Sequence, residues 1–269
     1  MAANTQGATT GQASTLAAGP AVTGVNPAAG PASGGTAVTI TGSGFTGASS
    51  VTFGGTPAAY TTFSDTQIIA FAPAHAPGQT LVKVAGPAGA SSQNVFYTYL
   101  ATPTVTGISP TTGPTAGGTT VTITGTGLTG TTTVTIGGTP ATFTVNSDTQ
   151  ITATTPAHAP GQAQVTITTP AGTSTQNVFY TYLATPTITS LTPTAGPAAG
   201  GNGVTITGTD LGFTGAVTFG GTRAAFTVLS NTQIVAVAPA GTGTVVVAVT
   251  TPGGTSVGSA YTYVPAPMI

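Results

Sequence analysis

The chain contains no cysteine. That excludes disulfides, thiolate metal sites and a cysteine nucleophile, and it leaves the redox compartment open. Charge is almost missing too. Only Lys83, Arg223, Asp65, Asp148 and Asp210 are charged, 2% of 269 residues, where an ordinary soluble domain carries roughly 25%. Two basic side chains cannot neutralise a run of phosphates, so a nucleic-acid partner is not expected. A polybasic membrane-surface role fails for the same reason. No apolar run approaches the ~18 residues of a membrane span. Met1 to Gly19 has neither the positive start nor the apolar centre of a secretory signal, so the export route stays open. Asn-x-Ser/Thr glycosylation sequons are absent as well.

What is present is repetition. Gly24 to Gly35 reads GVNPAAGPASGG, and it returns as GISPTTGPTAGG at Gly107 to Gly118 and SLTPTAGPAAGG at Ser190 to Gly201. Pro27, Pro110 and Pro193 are equivalent and follow one another at steps of 83 residues. A Tyr-Thr-Tyr closes each copy, at Tyr97 to Tyr99, Tyr180 to Tyr182 and Tyr261 to Tyr263. Fixed-period self-similarity of this kind outranks any single motif. The expected organisation is a polar tail at 1–19 followed by modules at 20–101, 102–184 and 185–269.

Low hydrophobicity with high charge marks disorder, and this chain shows the reverse, with 39% apolar residues in regular patterns. The second module is the clearest. Thr119 to Thr124 reads T-T-V-T-I-T, a period of two that buries Val121 and Ile123 and turns Thr120, Thr122 and Thr124 outward. About seven short strands are expected per module, separated by Gly and Pro turns such as Gly54-Gly55, Gly137-Gly138 and Gly220-Gly221. No stretch has helical periodicity. Strands at this spacing imply an all-β sandwich or barrel. The four-residue connectors Leu100 to Pro103 and Leu183 to Pro186 leave little slack, which predicts a semi-rigid rod approaching roughly 100 Å.

The opening x-P-x-x-G-P-x-x-G-G resembles the IPT/TIG family of immunoglobulin-like domains. So do the V-T-I-T-G strands that end at Gly42, Gly125 and Gly208. The V-T-F/I-G-G segments at Val51 to Gly55, Val134 to Gly138 and Val217 to Gly221 complete the match. The resemblance spans about residues 21–264. It implies three tandem immunoglobulin-like β-sandwiches used for spacing, adhesion or partner binding. The DNA-contacting role of similar domains in transcription factors needs basic loops that this chain lacks. The threonine-rich, nearly uncharged composition resembles the bacterial surface type.

Several motifs invite a chemical reading. Gly42 to Gly47 and Gly125 to Gly130 satisfy G-x-G-x-x-G, but a strand follows where a dinucleotide site needs a helix. Gly254 to Gly258 fits G-x-S-x-G, yet the third module has no histidine to act as base. His75 and His158 sit in matching Pro-Ala-His-Ala-Pro-Gly loops. They read first as loop residues, then as contacts to another subunit or ligand, and least as metal ligands, since one per module is too few. Asp65, Asp148 and Asn231 share a Ser-Asp/Asn-Thr-Gln-Ile context, where Asp and Asn both cap a tight turn. Lys83, with counterparts Thr166 and Val249, suggests an isopeptide bond only weakly. Arg223 stands where Pro57 and Pro140 stand in the other copies. Each tyrosine pair lies on one strand face, for burial in the sandwich or as a sugar-stacking platform.

No catalytic pair, nucleophile with base, cofactor site or metal cluster emerges. The favoured function is structural. The chain would form or decorate an extracellular, cell-surface or particle-associated filament, through contacts with copies of itself or a larger assembly. The tail 1–19 would be the docking element. The alternative is an adhesin or receptor-binding fibre that recognises glycans or a surface protein through its loops.

Overall fold

The computed structural model describes residues 19–267, and every regular element among them is a β-strand. The tail assigned above as a docking element lies, apart from Gly19, outside the described residues. The chain divides into two compact units, Met1–Thr102 and Pro103–Ile269.

In the first unit the strands are β1 (Ala21–Asn26), β2 (Ala29–Pro31), β3 (Ala37–Ser43), β4 (Ser50–Phe53) and β5 (Thr56–Pro57). They continue as β6 (Ala59–Ser64), β7 (Gln67–Phe71), β8 (Gly78–Gly86), β9 (Gly89–Ala90) and β10 (Phe96–Leu100). One sheet runs β1-β3-β7-β6 and the other β2-β10-β8-β4-β5, with β9 paired to β8. All neighbours are antiparallel except β2, which runs parallel to β10. This is an immunoglobulin-like sandwich whose first strand is shared between the sheets. The total exceeds seven strands per module because pieces of two or three residues pair at the rims.

The alternation anticipated from sequence is what fills the core. Val38, Ile40, Ile68 and Ala70 face Val51, Phe53, Val82 and Val84 across the sandwich, all buried. The second unit holds two further cores of the same make, one around Val121, Ile123, Ile151 and Val165 and one around Val204, Ile206, Ile234 and Val247. Thr120 and Thr124 are exposed, and Thr122 is half-buried, on the outer face. In the third sandwich Thr222–Ser230 is one continuous strand that pairs in both sheets. The shorter loop before Gly243–Thr251 shifts the count along that strand. Thr218 opposes Ala248, where Thr52 opposes Lys83, so the counterpart of Lys83 is Ala248, not Val249. Within the second unit the connector is anchored by the Thr185 hydroxyl, which donates to the Gly253 carbonyl at 3.2 Å.

The x-P-x-x-G-P opening has a packing cause. A Cβ on Gly30 would collide with the hydroxyl of Tyr97 and with Thr36 Oγ1. Gly113 stands in the same way against Tyr180 and Thr119, and Gly196 against Tyr261 and Asn202. The glycine lets β2 lie flat over the tyrosine that leads the closing strand. Two arrangements distinguish the copies. The Tyr97 and Tyr180 hydroxyls are buried with no hydrogen-bond partner among the described residues. The Tyr261 hydroxyl donates to Asn202 Oδ1 at 3.1 Å and accepts from its Nδ2 at 2.8 Å.

An unpaired buried hydroxyl is costly, whereas a paired one contributes net stability. Tyr261→Phe is therefore expected to lower stability by about 1 kcal/mol or more, because it also orphans Asn202. Tyr180→Phe should be neutral or stabilising. Urea denaturation of the two variants measures the difference, and equal losses would contradict the assignment.

Candidate functional site

The best-organised polar cluster in each module is the G-x-G-x-x-G loop and the acid beside it. Gly44 and Gly47 adopt positive φ, 71° and 79°, so the loop turns its amides toward one point. That point is occupied by Asp65. Gly44 N–H donates to its Oδ2 and Thr46 N–H to its Oδ1, each at 3.1 Å. Phe45 N–H donates to the Asp65 carbonyl at 3.0 Å, and Phe45 closes the core below. The second module repeats this with Gly127 and Thr129 on Asp148, at 3.1 and 3.3 Å. An anion-accepting loop thus carries its own carboxylate, which leaves no room for a pyrophosphate.

This differs from the local cap expected of Asp65 and Asp148. Their own turns are held instead by Ser64 and Ser147, whose hydroxyls accept from Thr66 and Thr149 N–H at 3.2 Å. The acids reach loops about twenty residues back in the chain. The third module explains the amide. Asp210 takes the place of Gly44, at φ 57°, and Asn231 stands where Asp65 does. Asn231 Oδ1 accepts from Gly212 N–H at 3.1 Å. A carboxylate at 231 beside one at 210 would set like charges together, and the amide avoids that.

The backbone donors lower the pKa of both loop acids. The N–H of Thr46, then that of Gly44, holds the Asp65 carboxyl below the usual carboxylate range. Thr129 first, then Gly127, does the same for Asp148.

A second constellation joins the histidines to the tyrosines. His75 stacks on Tyr99 with ring centroids 5.0 Å apart, and His158 on Tyr182 at 4.9 Å. Each Nδ1 lies 2.8 Å from the next residue's carbonyl, Ala76 or Ala159. A carbonyl can only accept, so Nδ1 carries the proton. The rings lie over the Gly54 and Gly137 turns, half-buried. In the third module Gly241 replaces the histidine, and Gly241 N–H donates to Ala198 O as His75 N–H does to Ala32 O. Tyr97 and Tyr99 meet edge to face at 5.0 Å, and both are buried, as are their counterparts. A sugar-stacking platform made of these tyrosines is thereby ruled out. Burial first, and then the neighbouring Tyr97, pushes the Tyr99 hydroxyl up to about 12.

The serine of G-x-S-x-G is structural. Ser256 is buried and its hydroxyl accepts from Val249 N–H at 3.0 Å. Ser91 and Ser174 do the same for Val84 and Ile167, at 3.1 and 2.9 Å. Ser91 and Ser174 were not singled out in the sequence; the place they share with Ser256 after each closing glycine turn was the available signal. Lys83 and Arg223 are exposed on strands opposite Thr52 and Thr218. No group of three or more His, Cys, Asp or Glu that could hold a metal occurs among the described residues. No helix among them is long and apolar enough to cross a membrane. A cleft of about 460 Å³ lies beside Gly196, Pro197, Val264 and Pro265, without a charged group to orient a ligand.

A family model for the IPT/TIG domain matches residues 20–99, 103–182 and 186–264. The chain belongs to the IPT/TIG domain family. Its three matched segments coincide with the three sandwich cores. No curated protein matches it. Among solved structures it is similar to the plexin A4 extracellular region, at 28% identity and TM-score 0.40, over 82% of this chain and 21% of that one. It is also similar to the Escherichia coli adhesin FdeC, at 14% identity and TM-score 0.39, over 92% and 97% of the two chains. A third is SGBP-B from a complex xyloglucan utilization locus in Bacteroides uniformis, at 23% identity and TM-score 0.29, over 60% and 49%. The chain spans only 21% and 34% of the two plexin A4 chains it matches.

A carboxyl pKa depressed in the folded state means stability that is present above the unfolded pKa of ~3.9 and is lost as pH falls through the folded one. Thermal unfolding between pH 5 and 2 should therefore show an acid-side loss. Asp65→Asn combined with Asp148→Asn should flatten that limb while lowering stability at neutral pH. An unchanged acid limb would exclude the clamp as its source.

Proposed function

We propose that this chain is a non-catalytic structural protein of the cell surface or of an extracellular particle, working through self-association of its modules at 20–101, 102–184 and 185–269. One observation carries the reading: two sheet edges are only lightly guarded. Strand β6 and its counterpart Thr142–Ser147 lie at the edge of their sheets and contain no charged residue and no proline. Soluble proteins blunt such edges with lysine, proline, cover or bulges. A bulge near Ser64 and near Ser147 is the one such device on these strands. With a formal net charge of −1 there is also little long-range repulsion to keep molecules apart. Backbone donors at a free edge are satisfied by another strand as readily as by water.

The polar clusters support the same reading. The loop acids, buried serines and buried tyrosines bind the chain's own backbone or core, which leaves none of them to perform acid–base chemistry. A second reading, contact with a glycan or surface protein through loops, is favoured by Phe213. It is exposed in a loop where the first two modules carry Gly47 and Gly130.

Sedimentation velocity over a wide concentration range, with negative-stain microscopy, tests the first reading. Growth into extended oligomers is expected, and Thr61→Lys with Thr144→Lys on the edge strands should weaken it. A strict monomer that binds a glycan array and loses binding on Phe213→Gly would establish the second reading instead.

A further inference from the structure

The three modules share one backbone, so a position can be compared across copies as if it had been mutated. On the outer face of the first sheet, three positions differ together. Phe63, Ile69 and Phe71 of the first module correspond to Asn146, Thr152 and Thr154 of the second and to Leu229, Val235 and Val237 of the third. At these three positions the face is apolar in the outer copies and polar in the middle one.

Strand alternation fixes the direction of these side chains. Ile68 and Ala70 enter the core, so Ile69 and Phe71 face out. Phe63 is 66% exposed, Phe71 52%, Leu229 56% and Val237 44%. In the middle copy Asn146 Nδ2 donates to Thr152 Oγ1 at 2.8 Å, so residue 146 lies over residue 152 on this face. That sandwich closes around a full core of its own with threonines there. The fold does not require the apolar residues there.

We propose that the outer faces of this sheet in the first and third modules are docking surfaces for a second copy of the chain. The proposal deepens the self-association reading above and rests on it. Charge favours this occupant. No charged residue stands at these positions, and Asp65, beyond the end of β6, has its carboxylate engaged by Gly44 and Thr46; in the third module Arg223 pairs with Thr218 in the other sheet, and Asp210 lies by Asn231 beyond the end of the strand. Two such faces approach without burying an unpaired charge. Area decides the kind of assembly. Three strands ~4.8 Å apart and about five residues long at ~3.3 Å give a footprint of roughly 240 Å². A stable pairwise interface needs about 800 Å² per partner. One face alone makes a weak contact, and two per molecule make the chain bivalent. Bivalent weak contacts add up along a growing assembly rather than in an isolated pair. The hydroxylated middle face keeps a third contact from branching it.

The test uses the full chain and substitutions borrowed from its own middle copy. Ile69→Thr, Phe71→Thr, Val235→Thr and Val237→Thr are combined, and circular dichroism checks the sandwich. Sedimentation velocity should show association weakened at least tenfold. Variants changed on one face only should stop at short oligomers. Thr152→Ile with Thr154→Phe, which adds a third apolar face, should strengthen association. If the fourfold variant loses its fold, Phe71→Thr with Val237→Thr makes the same comparison at two exposed positions. Undiminished assembly of a folded variant would overturn the surface while leaving self-association intact. A native chain that stays monomeric at every concentration, or that assembles only on adding another protein, would overturn the choice of a second copy.

Discussion

The sandwiches depend on one contact, a buried tyrosine ring laid across a strand that has no side chain at the crossing point. Tyr97, Tyr180 and Tyr261 lead the closing strands, and Gly30, Gly113 and Gly196 let the short parallel strand pass over their hydroxyls. Without cysteine, nothing covalent joins the beginning of a module to its end. Phe53 and Tyr99 pack edge to face on either side of Tyr97 at 5.2 and 5.0 Å, so the aromatic cluster does that work. Such pairs add about 0.5–1.5 kcal/mol beyond the burial of their area.

Once the closure is set by packing, the few polar side chains are free to organise loops. Asp65 and Asp148 gather the amides of a glycine loop about twenty residues away. Ser91, Ser174 and Ser256 receive a strand N–H inside the rim. Each looks like a chemical group in the sequence, and each is turned inward on the protein's own backbone. The remaining outward surface is mostly threonine, alanine and glycine, with a few exposed aromatic, aliphatic and charged side chains.

Comparison among the copies separates what the fold needs from what it merely permits. The Tyr–Gly contact is present in all three. The histidine stacked on Tyr99 and Tyr182 is replaced by Gly241 in the third, so it is a local cover and not a condition of folding. The acid becomes Asn231 where a neighbouring Asp210 makes a second carboxylate unfavourable. Three positions on the outer sheet face change from apolar to polar and back with no change in strand pairing, so the fold permits either.

The triplication, the all-β class and the buried faces were legible because they are periodic. Alternation of Val121, Thr122 and Ile123 encodes which side is wet, and a one-residue slip would reverse it. The loop acids were legible as loop residues, but their partners were not. Hydrogen bonds from Gly44 and Thr46 to Asp65 join segments that come together only when β3 and β7 pair. The same holds for the counterpart of Lys83, displaced by one residue through a shortened loop that only the ladder register reveals. The sequence by itself determined local periodicity and turn chemistry, because these depend on neighbours in the chain. The tertiary structure alone decided which donor meets which acceptor and which apolar side chains remain uncovered, because both depend on distances between residues far apart in it.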